Sequence, residues 1–194
     1  TALNIEPAWC EAVLTSSLVF IISLVPAGIW EPLAALTIVA AAAPVAADGM
    51  QGVEPEVYAF LENSAKGELI GAKEIVKMMT GQQYDCSYLD YKVRTWLQVA
   101  KTEARVGYLK MFVESDVSSD VDGCDLPIHI IMGENDAEAH QKDHLEPRIG
   151  KWFVNASFEV LDNCAHYPMQ ERPVKLLDSM QKFWVKHDWI ANPA

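Results

Sequence analysis

The pattern that most limits how this chain can fold is the alternation of short apolar segments and helical segments along its C-terminal third. Residues 126–132 (Leu-Pro-Ile-His-Ile-Ile-Met) and 157–161 (Ser-Phe-Glu-Val-Leu) are short apolar runs bounded by turn residues, which is typical of strands. Helical sequence predominates over 137–154, and Pro173 predicts the start of a last helix because proline is tolerated in the first turn. Strand, helix, strand, loop and helix in this order indicate a parallel sheet covered by helices.

The first part of the chain adds a long apolar run. Residues 18–25 are rich in β-branched and aromatic side chains and are predicted to form a strand buried on both faces, as in a parallel sheet. Residues 33–47 are rich in alanine and are predicted to form a buried helix. The uninterrupted apolar stretch from Leu18 to Ala27 is about 10 residues, whereas a membrane-spanning helix needs about 20, so we do not expect a membrane segment here.

Helical periodicity dominates the middle of the chain, where apolar residues recur three and four positions apart. Helices are predicted at 5–15, 54–65, 70–80 and 89–112. In the last helix, the same spacing predicts that the side chains facing the core are Val174, Leu177, Met180 and Trp184, with Lys182 and Lys186 outside.

The composition is that of a folded and strongly acidic chain. Hydrophobic residues make up 51% of the 194 positions, charged residues make up 22%, and the formal net charge is −12. This length fits one domain. Because an acidic chain repels phosphates and anionic lipids, neither nucleic acid nor a membrane is expected as a partner. The irregular spacing of the cysteines argues against a zinc knuckle or a disulfide scaffold and predicts buried or half-buried free thiols in a reducing compartment such as the cytoplasm: Cys10, Cys86, Cys124 and Cys164.

Two loops carry the residues best suited to chemistry, because each follows a predicted strand and sites in open α/β sheets gather at the carboxyl ends of strands. Asp136 follows the strand at 126–132, and His166 follows the strand at 157–161. If the two strands are near neighbours, the side chains can meet. The carboxylate would then hold the imidazole in one tautomer and stabilise its cation, so that the imidazole can act as a general base near neutral pH.

The sequence around these residues resembles the C-terminal third of an α/β-hydrolase-fold enzyme. Ile-Ile-Met-Gly133-Glu-Asn-Asp136 resembles the family pattern strand-Gly-x-x-Asp, which supplies the acid of the catalytic triad. Cys-Ala-His166-Tyr-Pro-Met-Gln-Glu-Arg-Pro173 resembles the pattern His-x-x-x-x-Glu-x-Pro, which supplies its histidine. The similarity covers about 126–188 and is weaker at 18–28, which resembles the strand after the nucleophile helix.

The resemblance departs from the family at the nucleophile. The Gly-x-Ser-x-Gly motif that carries it is absent from this sequence. In the family the nucleophile precedes the acid and the histidine, so the resemblance places it upstream of Thr1 and implies no nucleophile in this chain. The N-terminal part, with the first strands and the oxyanion-hole donors, is then expected on a missing piece. Two alternatives stay open for that piece: a second chain that remains docked, or a segment lost by truncation.

The resemblance therefore implies an incomplete α/β-hydrolase fold, a mostly parallel sheet flanked by helices. Its core is expected at 1–30 and 113–194, and a helical cap at about 31–112. The implied activity is that of a serine-type hydrolase acting on a small ester or related acyl compound without a cofactor. This chain alone is expected to be inactive. Trp30, just past the first strand, and Tyr167, beside the histidine, are candidates for the substrate pocket.

Several alternatives stay open at this stage. His140 and His144 are four apart on a predicted helix and could bind a metal, although the Glu of the zinc-protease motif is replaced by Gln141. Thr1 could act as an N-terminal nucleophile. The fold also serves non-catalytic binding or receptor-like proteins, carbon–carbon bond hydrolases, acyltransferases, dehalogenases and cofactor-free peroxidases.

Overall fold

The strands form one mixed sheet with a parallel core. The computed structural model of the chain describes residues 20–22, 36–39, 54–114 and 122–188. The strands lie side by side in chain order: β1 (Phe20–Ile22), β2 (Leu36–Val39), β3 (Ile128–Gly133) and β4 (Ala156–Leu161). β2, β3 and β4 are parallel, and β1 pairs with β2 in the antiparallel direction. The prediction of a mostly parallel α/β sheet is confirmed.

The N-terminal half of this sheet differs from the sequence-based prediction in two ways. β1 falls within the predicted strand at 18–25, but its partner β2 runs antiparallel to it. An antiparallel pair needs only a simple return of the chain, whereas a parallel pair needs a crossover of about a dozen residues or more. β2 is a strand where a buried helix was predicted at 33–47, and it lies in the sheet although the cap was expected to begin at about 31. The predicted helix at 5–15 lies outside the described residues.

β3 is an interior strand of the sheet, with β2 on one side and β4 on the other. Every one of its six residues is buried, as expected for a strand in the parallel part of a sheet whose faces are covered. β4 carries the exposed residues Glu159 and Val160, with only Leu161 fully buried at its end. The continuous apolar run of β3 and the mixed run of β4 thus reflect their places in the sheet.

The described helices are α1 (Pro55–Lys66), α2 (Leu69–Met79), α3 (Cys86–Val99), α4 (Thr102–Glu114), α5 (Lys142–Trp152), α6 (Pro168–Glu171) and α7 (Pro173–Lys186). A 3-10 helix, Glu138–His140, precedes α5. The chain divides into two compact units, one built from α1–α4 and one built from the sheet with α5–α7. None of the described helices is both long and apolar enough to cross a lipid bilayer.

In the sheet unit, α7 packs against the sheet through an apolar cluster. Leu176, Met180, Phe183 and Trp184 are buried in one cluster with β-strand residues that include Val39 and Ile131. The predicted start at Pro173 is confirmed. The prediction that Val174 and Leu177 face the core is wrong, since these side chains are 80% and 52% exposed. The helix instead turns its neighbouring apolar face, which contains Leu176 and Phe183, towards the sheet.

In the helical unit, α2 and α3 pack through a small apolar cluster of Ala72, Val76, Leu89 and Val93. Trp96 and Leu97 pack against it, as their spacing predicted. The single helix predicted at 89–112 is two helices, because Ala100 adopts an extended backbone that ends α3 before α4 begins.

A buried arginine joins the ends of these helices. The guanidinium of Arg105, only 8% exposed, donates to the carbonyl of Ala65 over 2.7 Å, to that of Leu97 over 3.3 Å and to that of Ala100. It also donates to the hydroxyl of Thr102 over 3.0 Å. A cation among carbonyls at the C-terminal ends of α1 and α3 is favoured by the helix dipoles, and burial lowers the pKa of Arg105.

Candidate active site

The register of β3 and β4 places the two predicted site loops side by side. Gly133, the last residue of β3, pairs with Leu161, the last residue of β4. Beyond the strands the contact continues, because the Glu134 N–H donates to the Leu161 carbonyl over 3.0 Å and the Asn135 N–H to the Cys164 carbonyl over 2.7 Å. The two loops therefore leave the sheet together.

Gly133 is the point of closest approach between the loops. A β-carbon at this position would lie 2.2 Å from the carbonyl oxygen of Ala165 and 2.6 Å from that of Cys164. Contacts this short are excluded by van der Waals repulsion, so glycine allows the two backbones to touch. The glycine in the Gly-x-x-Asp segment thus has a structural reason.

Asp136 and His166 are in direct contact. The Nδ1 atom of His166 lies 2.8 Å from Oδ2 of Asp136, and the two residues are only 1% and 4% exposed. The other carboxylate oxygen, Oδ1, accepts the backbone N–H of Ala137 over 2.7 Å. Both carboxylate oxygens therefore have donors, which fixes the orientation of the carboxylate and of the ring that it holds.

The opposite ring nitrogen of His166 is free to accept a proton. Nε2 is buried and has no hydrogen-bond partner among the described residues. With Nδ1–H donating to Asp136, neutral imidazole carries its lone pair on Nε2. Buried polar atoms are almost always paired, so an orphaned nitrogen next to a fixed carboxylate marks this ring as a candidate general base.

The loop that carries His166 is fastened by Glu171, whose role the sequence analysis missed. Its carboxylate accepts the backbone N–H of Ala165 over 2.6 Å and that of Tyr167 over 3.2 Å. Burial raises the pKa of Glu171, the two N–H donors lower it, and the nearby Asp136 charge raises it. The sequence signal was present as the Glu of the His-x-x-x-x-Glu-x-Pro segment, but nothing in the sequence alone indicates which atoms it binds.

Two more rings lie against His166. The His140 ring is 4.7 Å away, centroid to centroid, in an edge-on arrangement, and the Tyr167 ring is 5.6 Å away. Gln141, the next residue after His140, donates from Nε2 to the carbonyl of Asp136 over 2.8 Å. Tyr167, a predicted pocket residue, thus contacts the histidine but is itself 5% exposed. Trp30, the other predicted pocket residue, lies outside the described residues.

The alternative of a metal held by His140 and His144 rested on a single helix that the structure does not contain. His140 ends the 3-10 helix, and α5 begins only at Lys142. His144 instead pairs with Glu138, with Nε2 and Oε1 3.2 Å apart. Among the described residues, no group of three or more potential ligands is arranged to hold a metal ion.

His129 belongs to a separate polar cluster beneath α7. Its Nε2 lies 3.2 Å from Oε2 of Glu159, and that same oxygen accepts the hydroxyl of Ser179 over 2.8 Å. The imidazole stacks on the ring of Phe183 at 4.8 Å. The pKa of His129 is lowered, mainly by burial. Glu159 acts in the opposite direction and raises this pKa, whereas positive charge at His187 lowers it further. This cluster packs α7 onto β3.

The described cysteines are free thiols. Cys164, between the strand end and His166, is fully buried, and burial together with the Glu171 charge raises its pKa to about 12. A thiol held protonated in this way is a poor nucleophile. Cys86 is exposed, contrary to the prediction of buried or half-buried thiols. Cys10 lies outside the described residues.

The helical unit has a groove of its own, with a volume of about 350 Å³. Its walls come from α2 and α3: Leu69, Lys73, Asp90, Val93, Arg94, Leu97 and Gln98. None of the predicted site residues lines it, so it does not identify a catalytic centre.

Several solved structures with a similar fold are esterases. An esterase from Exiguobacterium antarcticum is similar with a TM-score of 0.63 at 14% sequence identity, over 77% of this chain and 56% of that one. A thermophilic esterase is similar with a TM-score of 0.60 at 19% identity, over 79% and 57%. A bromoperoxidase from Bacillus anthracis is similar with a TM-score of 0.59 at 12% identity, over 76% and 56%.

These similarities establish the fold of the chain. It has part of the α/β-hydrolase fold and spans little more than half the length of these solved structures. No protein-family model and no curated protein matches the sequence.

Proposed function

We propose that the chain is the C-terminal part of a serine-type hydrolase that acts on a small ester or related acyl compound. In this proposal Asp136 and His166 are the acid and the base of a catalytic triad whose nucleophile lies upstream of the chain. The helical unit, which lies in sequence between β2 and β3, is assigned to the cap.

One observation carries the proposal. The contact between Nδ1 of His166 and Oδ2 of Asp136 is 2.8 Å long and fully buried, while Nε2 of the same ring has no hydrogen-bond partner in the described part of the chain. The packing residue His129 also has a buried ring nitrogen without a partner among the described residues, Nδ1, but its carboxylate partner, Glu159, is half-exposed, whereas the side chains of both His166 and Asp136 are buried. In His166 one ring nitrogen is fixed by a buried carboxylate and the other is left for a group that the described residues do not supply.

This arrangement suits proton transfer during acyl transfer. A nucleophile hydroxyl would lose its proton to Nε2 as its oxygen bonds to the substrate carbonyl carbon, and Asp136 would stabilise the imidazolium that forms. The imidazolium would return the proton to the leaving alkoxide as the tetrahedral intermediate collapses to an acyl-enzyme. Water would then give a proton to the same nitrogen as its oxygen bonds to the acyl carbon. The bond between that carbon and the nucleophile oxygen would break, the imidazolium would return the proton to the nucleophile oxygen, and the acid would leave. Backbone N–H groups of the upstream part would stabilise the oxyanion, so the reaction needs no cofactor.

The first prediction tests the pair in the protein extended upstream to include the nucleophile, with p-nitrophenyl esters as substrates. His166→Ala or Asp136→Asn should lower kcat by about 10⁴-fold, because each removes a member of a unit that acts together. The matched controls are His144→Ala and Asp143→Asn, which change exposed residues of the same types and should leave kcat unchanged. A full rate in either site variant would refute the assignment.

The position of the nucleophile is tested separately by labelling with a fluorophosphonate and mapping the modified residue by mass spectrometry. We expect the label upstream of this chain and no burst of product from the purified 194-residue chain. A label on any residue of the chain would place the nucleophile inside it and overturn that part of the proposal.

A further inference from the structure

We infer that Glu171 is a positioning residue for His166, holding the imidazole against Asp136 through the backbone on both sides of the histidine. The inference rests on the proposed function in so far as His166 is taken as the base. It adds a second buried carboxylate to the acid–base pair, one that acts on the main chain instead of the ring.

The geometry of the contact supports this role. Oε2 of Glu171 accepts the N–H of Ala165 over 2.6 Å, and Oε1 accepts the N–H of Tyr167 over 3.2 Å. These are the residues immediately before and after His166. The Tyr167 N–H belongs to the peptide group that follows His166, and the Ala165 N–H belongs to the peptide group one residue before the one that precedes His166. Holding both limits the backbone rotation at Ala165 and His166, so the carboxylate restricts where the imidazole ring can point.

A one-turn helix brings the carboxylate back to the histidine. α6 closes through the N–H groups of Gln170 and Glu171, which donate to the carbonyl of Tyr167 over 2.8 and 2.9 Å. The turn brings the side chain of Glu171, the fifth residue after His166, within hydrogen-bond distance of the backbone N–H of Tyr167, the first. The spacing between His and Glu is therefore the length of this turn, and a single insertion or deletion in α6 would separate them.

A carboxylate is better suited to this position than an amide. Both of its oxygens are acceptors, so it can satisfy two N–H donors at once, and a charged acceptor makes the stronger bond. A glutamine offers only one acceptor oxygen and presents an NH₂ group to the other donor. Because Glu171 is only 8% exposed, bulk water could not replace the hydrogen bond lost by the backbone N–H that faces the NH₂ group.

Glu171 also contributes charge to the site. The carboxylates of Asp136 and Glu171 interact, which raises the pKa of Glu171, and a positive charge on His166 lowers it. An imidazolium formed at His166 therefore has two anions nearby, one bonded to the ring and one bonded to the loop.

Glu134 provides a matched control for a purely structural contact. Its carboxylate accepts the backbone N–H of Asn163 over 2.9 Å, on the same loop and three residues before His166. Unlike Glu171 it is exposed and does not bond to the residues that flank the histidine.

The test compares Glu171→Gln with Glu134→Gln by nuclear magnetic resonance on the 194-residue chain. In the unchanged chain the His166 Nδ1 proton, identified by its loss in His166→Ala, should be protected by its bond to Asp136, and the amides of Ala165 and Tyr167 should exchange slowly. Glu171→Gln should expose the Nδ1 proton to exchange and release at least one of the two amides, whereas Glu134→Gln should leave all three protected.

In the completed enzyme, Glu171→Gln should lower kcat by roughly 10²-fold with little change in KM, since a small displacement of a catalytic group costs about that much. Unchanged protection and an unchanged kcat would overturn the inference. If Glu171→Gln does not fold, Glu171→Asp, which is too short to reach both N–H groups, decides in the same way. A wild-type enzyme without esterase activity would refute the proposed function, while the protection measurements would still decide the role of Glu171.

Discussion

At the residue scale, the candidate site depends on positions where a side chain is absent as much as on those where one is present. Gly133 lets β3 pass against the carbonyl of Ala165, and this contact keeps Asp136 within reach of His166. Not every described glycine is crowded by a neighbouring backbone in this way. Around Gly150 in α5, nothing lies within 4 Å of the place where a β-carbon would stand.

These two glycines give a matched prediction for stability. Gly133→Ala should lower the free energy of unfolding by about 1–3 kcal/mol, because the loops must separate to admit the methyl group. Gly150→Ala should raise it by about 0.5–1 kcal/mol, because alanine costs less backbone entropy in a helix. Urea denaturation of each variant measures both changes. Equal effects of the two substitutions would contradict the close contact at Gly133.

The sequence allowed the residues at the strand ends to be chosen, but it did not show which further side chains contact them. Asp136 and His166 could be chosen because each follows an apolar strand, and the structure brings them together. The contact of His140 with His166 could not be predicted, since it depends on a 3-10 turn that interrupts a helical pattern. The catalytic role of Asp136 and His166 is a prediction that the triad variants test.

At the element scale, a local apolar pattern was ambiguous wherever it fitted two secondary structures, or two faces of one helix, equally well. The alanine-rich run at 33–47 fits a buried helix as well as a buried strand, and pairing with β3 decides for the strand at Leu36–Val39. In α7, Val174 and Leu176 both belong to apolar sets at helical spacing. Contact with the sheet, which the sequence does not show, decides that Leu176 is buried.

The packing of α7 on β3 should depend on pH through His129. Its pKa is lowered in the folded chain, mainly by burial, so the unfolded chain takes up a proton that the folded chain resists. The free energy of unfolding should therefore fall as the pH decreases below about 6.5, by up to about 1.4 kcal/mol per pH unit. Glu171, whose pKa is raised, contributes with the opposite sign.

The measurement is the pH dependence of urea denaturation between pH 5 and 7 (about the range in which histidine titrates), compared with His129→Gln. The variant should show the smaller loss of stability on acidification, and the contribution of Glu171 cancels because both chains contain it. His144→Gln, at an exposed position, should match the wild type. Identical slopes for the wild type and His129→Gln would exclude His129 as the cause.

At the scale of the whole molecule, the alternation in the C-terminal third was enough to predict β3, β4 and the helices that follow them, but the third parallel strand, β2, lies where a helix was predicted. The boundary between the sheet unit and the helical unit was not predictable in the same way. Residues 36–39 belong to the sheet unit although they lie within a long apolar and helical pattern. Unit boundaries follow from contacts distant in sequence, which a periodicity of three or four residues does not encode.

The division into two units predicts where a loss of stability should spread. Within the described part of the chain, the partners of the Arg105 guanidinium all belong to the helical unit, and each buried carbonyl left without a donor costs about 1–3 kcal/mol. In Arg105→Ala, hydrogen exchange should accelerate in α1–α4 while the amides of β3 keep their protection. Arg94→Ala, at an exposed position, should change neither. Equal loss of protection in β3 would show that the units unfold together.

Asp136, His166 and Glu171 all fall within residues 128–171, on two neighbouring strands and the loops that follow them. In the proposed function, the groups that hold and move the proton are therefore encoded in one short stretch of the sequence. Exchanging the sequence on either side of that stretch would leave the contacts among these three side chains and their loops in place.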